Sequence, residues 1–115
     1  MKALGRHFLL ELKDCNRDLL NDLDALKRLL REAAIECGAE ILSDSFHHFT
    51  PQGVSGVVII AESHLFIHTW PEFGYAAVDI FTCGTRVKPE IATKYLIDKL
   101  EAKNQVIIEM QRGIL

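Results

Sequence analysis

Apolar positions alternate with polar ones in some stretches of the chain and recur every three or four residues in others. The first period predicts strands and the second predicts helices. The first alternating stretch runs from Arg6 to Lys13, where Phe8, Leu10 and Leu12 share one face. We therefore predict a half-buried strand near the start of the chain.

A helical period follows this strand. Leucines and alanines recur at intervals of three and four from about Asp18 to Cys37, and most of the intervening positions are charged. Gly38 is suited to end the helix, because glycine adopts the left-handed conformation of a helix C-terminus without a steric penalty. The pattern predicts one amphipathic helix over this range.

Four strand-like stretches come next, at Glu40–Phe49, Ser55–Glu62, His64–Trp70 and Tyr75–Thr82. The segments Thr50–Gly53 and Pro71–Gly74 supply the proline and glycine residues of turns. Connections this short join neighbouring antiparallel strands, whereas parallel strands need long crossovers.

Pro89 is predicted to open a second helix, since the first turn of a helix tolerates a residue without an amide hydrogen. A last strand covers Gln105–Gln111. The inner stripe of the second helix is predicted to contain Ile91, Tyr95, Leu96 and Leu100. The order strand, helix, four strands, helix, strand predicts an α+β fold, a two-layer sandwich of a mostly antiparallel sheet with two helices on one face.

Two of the predicted strands, around Val57–Ile60 and Tyr75–Phe81, are apolar on both faces. Strands of this kind are covered on both sides, and two helices can cover only one side of a sheet. We predict that the second face packs against the same face of another copy. The result would be a homodimer with four layers, α/β/β/α.

Composition narrows the function only slightly. A length of 115 residues suits a single domain, 1–115, and a net charge of −3 gives no reason to expect nucleic acid or an anionic membrane as partner. The sequence contains neither a signal peptide nor an apolar run of about 20 residues. Its three cysteines include no Cys-x-x-Cys pair, so we expect a protein of the reducing cytoplasm without a disulfide framework.

The chemistry is concentrated between Ser63 and Glu72. His64 and Phe66 share a strand face with His68 and Trp70, and the same alternation continues to Glu72. Taken singly, these residues are weak signals. No Gly-x-Ser-x-Gly elbow surrounds Ser63, and the histidine spacings match no zinc template.

Cys83 ends an apolar strand in the sequence Thr-Cys-Gly. A cysteine there is usually a small buried apolar residue, although a thiol at a strand end can also reach a cleft and act as an acid or nucleophile.

The combination of motifs is more informative than any single residue. Phe-Thr-Pro-Gln-Gly-Val-Ser-Gly starts at Phe49, Ala-Glu-Ser-His-Leu at Ala61, Ile-His-Thr-Trp-Pro-Glu at Ile67 and Phe-Thr-Cys-Gly at Phe81. Together with the early Leu-Gly-Arg-His, this order closely resembles the short, pyruvoyl-dependent class of prokaryotic S-adenosylmethionine decarboxylase proenzymes. The resemblance covers almost the whole chain.

The resemblance implies that the chain cuts itself between Glu62 and Ser63. The serine hydroxyl would attack the preceding carbonyl to form an ester, and elimination and hydrolysis would then convert Ser63 into a pyruvoyl group. Residues 1–62 would become the β chain and residues 63–115 the α chain. The pyruvoyl group would hold the substrate amine as a Schiff base during the release of carbon dioxide.

The resemblance also assigns roles to individual residues. His68 corresponds to the proton acceptor of self-processing and Ser55 to the serine that assists it. Because both lie on strands next to the cleavage turn, we expect them near Ser63. Cys83 corresponds to the proton donor of the decarboxylation.

Substrate recognition is implied at two further positions. Phe49 corresponds to an aromatic residue that stacks on adenine, and Glu72 to the acid that binds the ribose hydroxyls. Leu4 lies where larger relatives carry the second stacking aromatic. In small members of the family, the two chains of a homodimer contribute different residues to each site.

We therefore expect S-adenosyl-L-methionine as substrate, pyruvoyl as the only cofactor, no metal, and a product that supplies aminopropyl groups for spermidine. Two alternatives remain at the level of sequence. One is a pyruvoyl-dependent decarboxylase of arginine or ornithine on the same fold, which the pairing of Phe49 with Glu72 disfavours. The other is a non-catalytic α+β module that binds a small ligand.

Overall fold

Six strands form one antiparallel sheet with helices on one of its faces, as described by a computed structural model for residues 2–115. The predicted α+β class and the placement of the helices are confirmed. The strands are β1 (Ala3–Lys13), β2 (Ile41–His48), β3 (Val54–Ile60), β4 (Ser63–Trp70), β5 (Tyr75–Cys83) and β6 (Asn104–Ile114). The helices are α1 (Arg17–Leu20), α2 (Leu23–Glu36) and α3 (Pro89–Lys99).

The order of strands across the sheet is β2-β3-β4-β5-β1-β6, and every neighbouring pair is antiparallel. Consecutive hairpins connect the first four strands of this order, β2 to β5. The first strand of the chain then lies between β5 and the last strand, so residues from both ends of the sequence meet at one side of the sheet. This order decides which residues surround Ser63.

The core lies between the sheet and helices α2 and α3. Strand β1 contributes its predicted apolar face, with Phe8, Leu10 and Leu12 at most 4% exposed. Leu96 and Leu100 at the end of α3 belong to the same buried cluster. One continuous core therefore contacts the five strands β1 to β5, whereas β6 is exposed along its whole length.

The prediction of a single helix from Asp18 to Cys37 is wrong, because the helix is interrupted at Asn21 and Asp22. The Asp22 side chain caps α2 by accepting a hydrogen bond from the Ala25 N–H at 3.1 Å. The Asn21 Oδ1 accepts one from the Gly53 N–H at 3.0 Å, which ties this break to the β2–β3 turn. The end of α2 is as predicted, with Gly38 in the left-handed region at φ +92°.

The predicted inner stripe of α3 is partly wrong. Leu96 and Leu100 are buried and Tyr95 is half-buried, but Ile91 is 46% exposed. Its neighbours Ala92 and Thr93 face the core instead. The helix is therefore turned by about one residue from the predicted orientation.

The sheet face opposite the helices carries an apolar stripe. One row of cross-strand neighbours contains Val57, Phe66, Leu9 and Ile108, interrupted by Asp79. No element within residues 2–115 covers this face, and Ile59 and Ile108 are 44% and 49% exposed. We name it the open face. None of the helices in this part of the chain is long and apolar enough to cross a membrane.

Candidate active site

The connection between β3 and β4 contains the Glu62–Ser63 bond. Only Ala61 and Glu62 separate the two strands, and the Ala61 N–H is fixed by donation to the Glu40 carbonyl at 2.9 Å. The Ser63 backbone has φ +135°, a region that residues with a Cβ rarely adopt. Such a conformation costs on the order of 1–3 kcal/mol, so the residue that follows the bond is strained.

The Glu62 carbonyl oxygen accepts two hydrogen bonds from one residue. The Cys83 N–H donates at 3.0 Å and the Cys83 thiol at 3.2 Å. The Ser63 hydroxyl lies beside this pair, with its Oγ 3.9 Å from the Cys83 Sγ. Two donors already in contact with a carbonyl oxygen can stabilise the negative charge that forms there when a nucleophile attacks the carbon.

Arg86 is a further residue at this turn, and the sequence analysis did not identify it. Its guanidinium contacts one carboxylate oxygen of Glu62, Oε2. The other oxygen, Oε1, is buried without a hydrogen-bond partner among residues 2–115. A single arginine in the short loop after Cys83 is only a weak signal in the sequence. Its role depends on where that loop crosses the β3–β4 turn.

Ser63 and Cys83 open into a cleft of about 290 Å³ that also contains Leu4, which is 58% exposed. The strand order brings a further unpredicted arginine, Arg112 of β6, into this cleft. Its guanidinium lies 5.0 Å from the centre of the Phe81 ring. We name this group the Ser63 cleft.

Ser55 and His68 face each other on β3 and β4 at the opposite end of the same strands. The Ser55 hydroxyl and the His68 Nδ1 share a hydrogen bond of 2.8 Å. The imidazole also stacks on Phe66, with ring centres 4.6 Å apart. Its orientation is therefore fixed by two neighbours.

A cleft of about 300 Å³ beside this pair contains Phe49, Trp70 and Glu72. Glu72 lies in the short 3₁₀ turn Pro71–Phe73, so the prediction that it continues the strand alternation is wrong. It nevertheless reaches the same cleft as His68. We name this group the His68 cleft.

The two clefts are far apart in one chain. Ser63 and His68 are five residues apart on an extended strand, and at about 3.3 Å per residue their Cα atoms are separated by roughly 16 Å. A hydrogen bond or proton transfer requires about 3 Å between heavy atoms. The expectation that His68 and Ser55 lie near Ser63 is wrong within a single chain.

His64 belongs to neither cleft and lies on the open face among groups from other strands. His7 of β1, Asp79 of β5 and Arg112 of β6 surround it. Burial and the neighbouring His7 lower the pKa of His64, while Asp79 acts in the opposite direction. Within residues 2–115 no three His, Cys, Asp or Glu side chains converge in a way that could hold a metal ion.

Comparison with known proteins gives consistent matches over nearly the whole chain. The family profile described as S-adenosylmethionine decarboxylase matches residues 6–113. A protein of Thermodesulfovibrio yellowstonii, named S-adenosylmethionine decarboxylase proenzyme, is 57% identical over 115 residues, which cover 100% of this chain and 85% of that protein. A protein of the same name from Pelotomaculum thermopropionicum is 55% identical, with coverage of 100% and 91%.

Among solved structures, the adenosylmethionine decarboxylase of Aquifex aeolicus VF5 superposes with a TM-score of 0.94 at 36% identity. The match covers 100% of this chain and 95% of that one. The sequence matches and the structural match therefore indicate the same family of proteins.

Proposed function

Because this chain belongs to the S-adenosylmethionine decarboxylase family, we propose that it is a self-processing, pyruvoyl-dependent decarboxylase of S-adenosyl-L-methionine. The observation that carries the proposal is the arrangement at the Glu62–Ser63 bond. A strained serine follows a carbonyl that already accepts two hydrogen bonds from Cys83. An ordinary hairpin needs neither feature.

Self-cleavage would begin with attack of the Ser63 hydroxyl oxygen on the Glu62 carbonyl carbon. Negative charge then develops on the carbonyl oxygen, where the Cys83 N–H and thiol already donate. When the C–N bond breaks, the amide nitrogen takes up a proton, and an ester joins Glu62 to the Ser63 side chain. Conversion of the strained peptide into the ester is favoured because it relieves the strain at Ser63.

The ester is resolved by β-elimination. A base removes the Ser63 Cα proton, the Cβ–O bond breaks, and Glu62 leaves as a new C-terminal carboxylate. The remaining dehydroalanine tautomerises and is hydrolysed by water, which releases ammonia and leaves a pyruvoyl group. The base assigned to this step is His68, supported by Ser55 through their hydrogen bond.

His68 is roughly 16 Å from Ser63 along β4, so the base must come from another copy. We infer a homodimer in which the open faces pack against each other. A two-fold axis that crosses the strands at mid-length would bring the Ser63 cleft of one chain against the His68 cleft of its partner. Each dimer would then contain two composite sites, and neither chain would process alone.

The residues around Ser63 suit a pyruvoyl group formed in place. When bound, this group supplies a carbonyl that withdraws electrons from the substrate carbon. Cys83 would then hold the proton that this carbon needs after carbon dioxide leaves. Its thiol already lies beside the Ser63 side chain, which supports this role.

Substrate recognition would use the His68 cleft of the partner. Phe49, which is 48% exposed at the cleft wall, can stack on adenine, and the Glu72 carboxylate can accept hydrogen bonds from the ribose hydroxyls. Leu4 in the Ser63 cleft would contact the other side of the base. This combination of an aromatic and a carboxylate favours a nucleoside over arginine or ornithine.

The free cysteines and the proposed role of the Cys83 thiol agree with a cytosolic setting.

Two measurements test the proposal. Mass spectrometry under denaturing conditions should give a fragment of residues 1–62 and a fragment of residues 63–115 that begins with pyruvoyl. The Ser63→Ala variant should remain a single chain. The cleaved protein should release carbon dioxide from S-adenosyl-L-methionine and not from arginine, and a cleaved sample that fails to do so would disprove the assigned substrate.

A further inference from the structure

Arg112 is the one charged residue that lines the Ser63 cleft within residues 2–115. Three other arginines of the chain form ion pairs: Arg6 with Glu90 and Glu109, Arg31 with Asp44, and Arg86 with Glu62. In the part of the chain that the structure describes, no carboxylate lies within ion-pair distance of the Arg112 guanidinium. An arginine held in a cleft without a carboxylate partner is free to bind an anion.

The local packing holds Arg112 in position. Gly5 lies between Cys83 and Arg112 in the sheet and pairs with both. A Cβ at Gly5 would come within 2.7 Å of the Phe81 ring, so the absence of a side chain lets this ring lie over the backbone of β1. The Arg112 guanidinium then stacks on the ring. An aromatic face and an open strand backbone therefore form the floor of the cleft.

The spacing suits an amino-acid head group. Neighbouring strands are about 4.8 Å apart, so the Cα atoms of Cys83 and Arg112 are roughly 10 Å apart, with only a glycine between them. Consider an amino acid that is attached through its amine at position 63 and has its α-carbon beside the Cys83 thiol. Its carboxylate is bonded to that α-carbon and therefore lies within a few ångströms of the thiol. Among the residues that line the cleft, Arg112 supplies the cation that can face this carboxylate.

We propose that Arg112 binds the α-carboxylate of the amino-acid substrate. The inference rests on the proposed function, because it assumes that the substrate amine is held at position 63. It identifies the residue that recognises the group that will be lost, whereas Phe49 and Glu72 recognise the nucleoside.

The chemistry predicts a specific kinetic signature. The carboxylate is charged in the bound substrate and becomes neutral carbon dioxide, so its ion pair with Arg112 weakens as the reaction proceeds. An interaction that is stronger in the ground state than in the transition state lowers KM without raising kcat. Replacement of Arg112 should therefore raise KM about 10- to 100-fold, the range of a charged hydrogen-bonded pair, with kcat unchanged or higher.

Binding can be measured without turnover. Borohydride reduction of the pyruvoyl carbonyl gives a processed enzyme that cannot react, and titration calorimetry then compares S-adenosyl-L-methionine with its carboxyl methyl ester. With Arg112 present, the free acid should bind at least about 10-fold more tightly than the ester. In Arg112→Gln this preference should disappear, and Arg112→Lys should keep part of it.

Arg28→Gln is the matched control, because it removes the same charge from the exposed surface of α2. It should leave both KM and the preference for the acid unchanged. An unchanged preference in Arg112→Gln would overturn the inference, and so would a weaker dimer with normal KM, which would indicate that Arg112 pairs with the partner chain. If the unmodified enzyme releases no carbon dioxide from S-adenosyl-L-methionine, the proposed function fails first and this inference fails with it.

Discussion

Two inactive variants should restore activity to each other if each site is shared between two chains. Ser63→Ala removes the nucleophile from the Ser63 cleft, and His68→Ala removes the base from the His68 cleft. In a mixed dimer, one site combines the intact His68 of the first chain with the intact Ser63 of the second. The other site combines both substitutions and is inactive. A site contained in one chain would give no active combination.

The size of the effect follows from the proposed two-fold arrangement. Random pairing of equal amounts of the two variants makes about half of all dimers mixed, and each mixed dimer has one intact site of two. We therefore expect about a quarter of the wild-type rate of carbon dioxide release per chain. Every cleaved fragment of residues 63–115 should carry alanine at position 68, because only that chain retains Ser63.

The assay is coexpression followed by mass spectrometry under denaturing conditions and measurement of carbon dioxide release. Ser63→Ala with Cys83→Ala is the matched control, since both residues belong to the Ser63 cleft and no mixed site is intact. That pair should gain nothing over Cys83→Ala alone, which keeps the backbone donor and is expected to cut but to turn over poorly. Absence of any fragment from the Ser63→Ala and His68→Ala mixture, with mixed dimers present, would refute the shared site.

Three further predictions concern stability and are tested by urea unfolding in the Ser63→Ala background, which stays one chain, at fixed protein concentration. Thr69→Val should lower the free energy of unfolding by about 1–3 kcal/mol, because the buried Thr69 hydroxyl donates to the Leu20 carbonyl at 2.7 Å; an unchanged value would show that this bond contributes nothing. Gly56→Ala should lower it by about 1–3 kcal/mol, because its Cβ would lie 2.1 Å from the Phe46 ring unless the ring moves; full stability would show that the ring moves freely. The pKa of His64 is lowered in the folded state, so below about pH 6.5 the unfolded chain binds more protons than the folded one, and the free energy of unfolding falls as the pH drops from 7 toward 5. His64→Gln should make this fall smaller, and an equally large fall in the variant would contradict the reasoning.

The sequence predicted the parts of the fold that depend on local patterns. Alternation along β1 identified its buried face, and the glycine at position 38 identified the end of α2. The break at Asn21 was missed because its cause is not local. The Asn21 side chain holds the Gly53 N–H of a distant turn, and no period within the helix records that contact.

The candidate site shows the same division. The Glu62–Ser63 pair and Cys83 came from ordered motifs, and the structure brings them into contact. Arg112 could not be found in this way, because its closeness to Cys83 depends on the insertion of β1 between β5 and β6. The separation of His68 from Ser63 was also missed, although five residues of an extended strand already imply roughly 16 Å between their Cα atoms.

The strand order has a consequence for folding if the chain is processed as we propose. The proposed cleavage after Glu62 would assign β1, β2 and β3 to one fragment and β4, β5 and β6 to the other. In the sheet these fragments alternate and meet at three seams, β3 with β4, β5 with β1, and β1 with β6. Neither fragment could form this sheet alone, so the complete chain would have to fold before cutting itself. After unfolding, the two fragments would have to associate again in solution, and refolding would depend on protein concentration. The uncut precursor would then be the only form that folds as a single molecule.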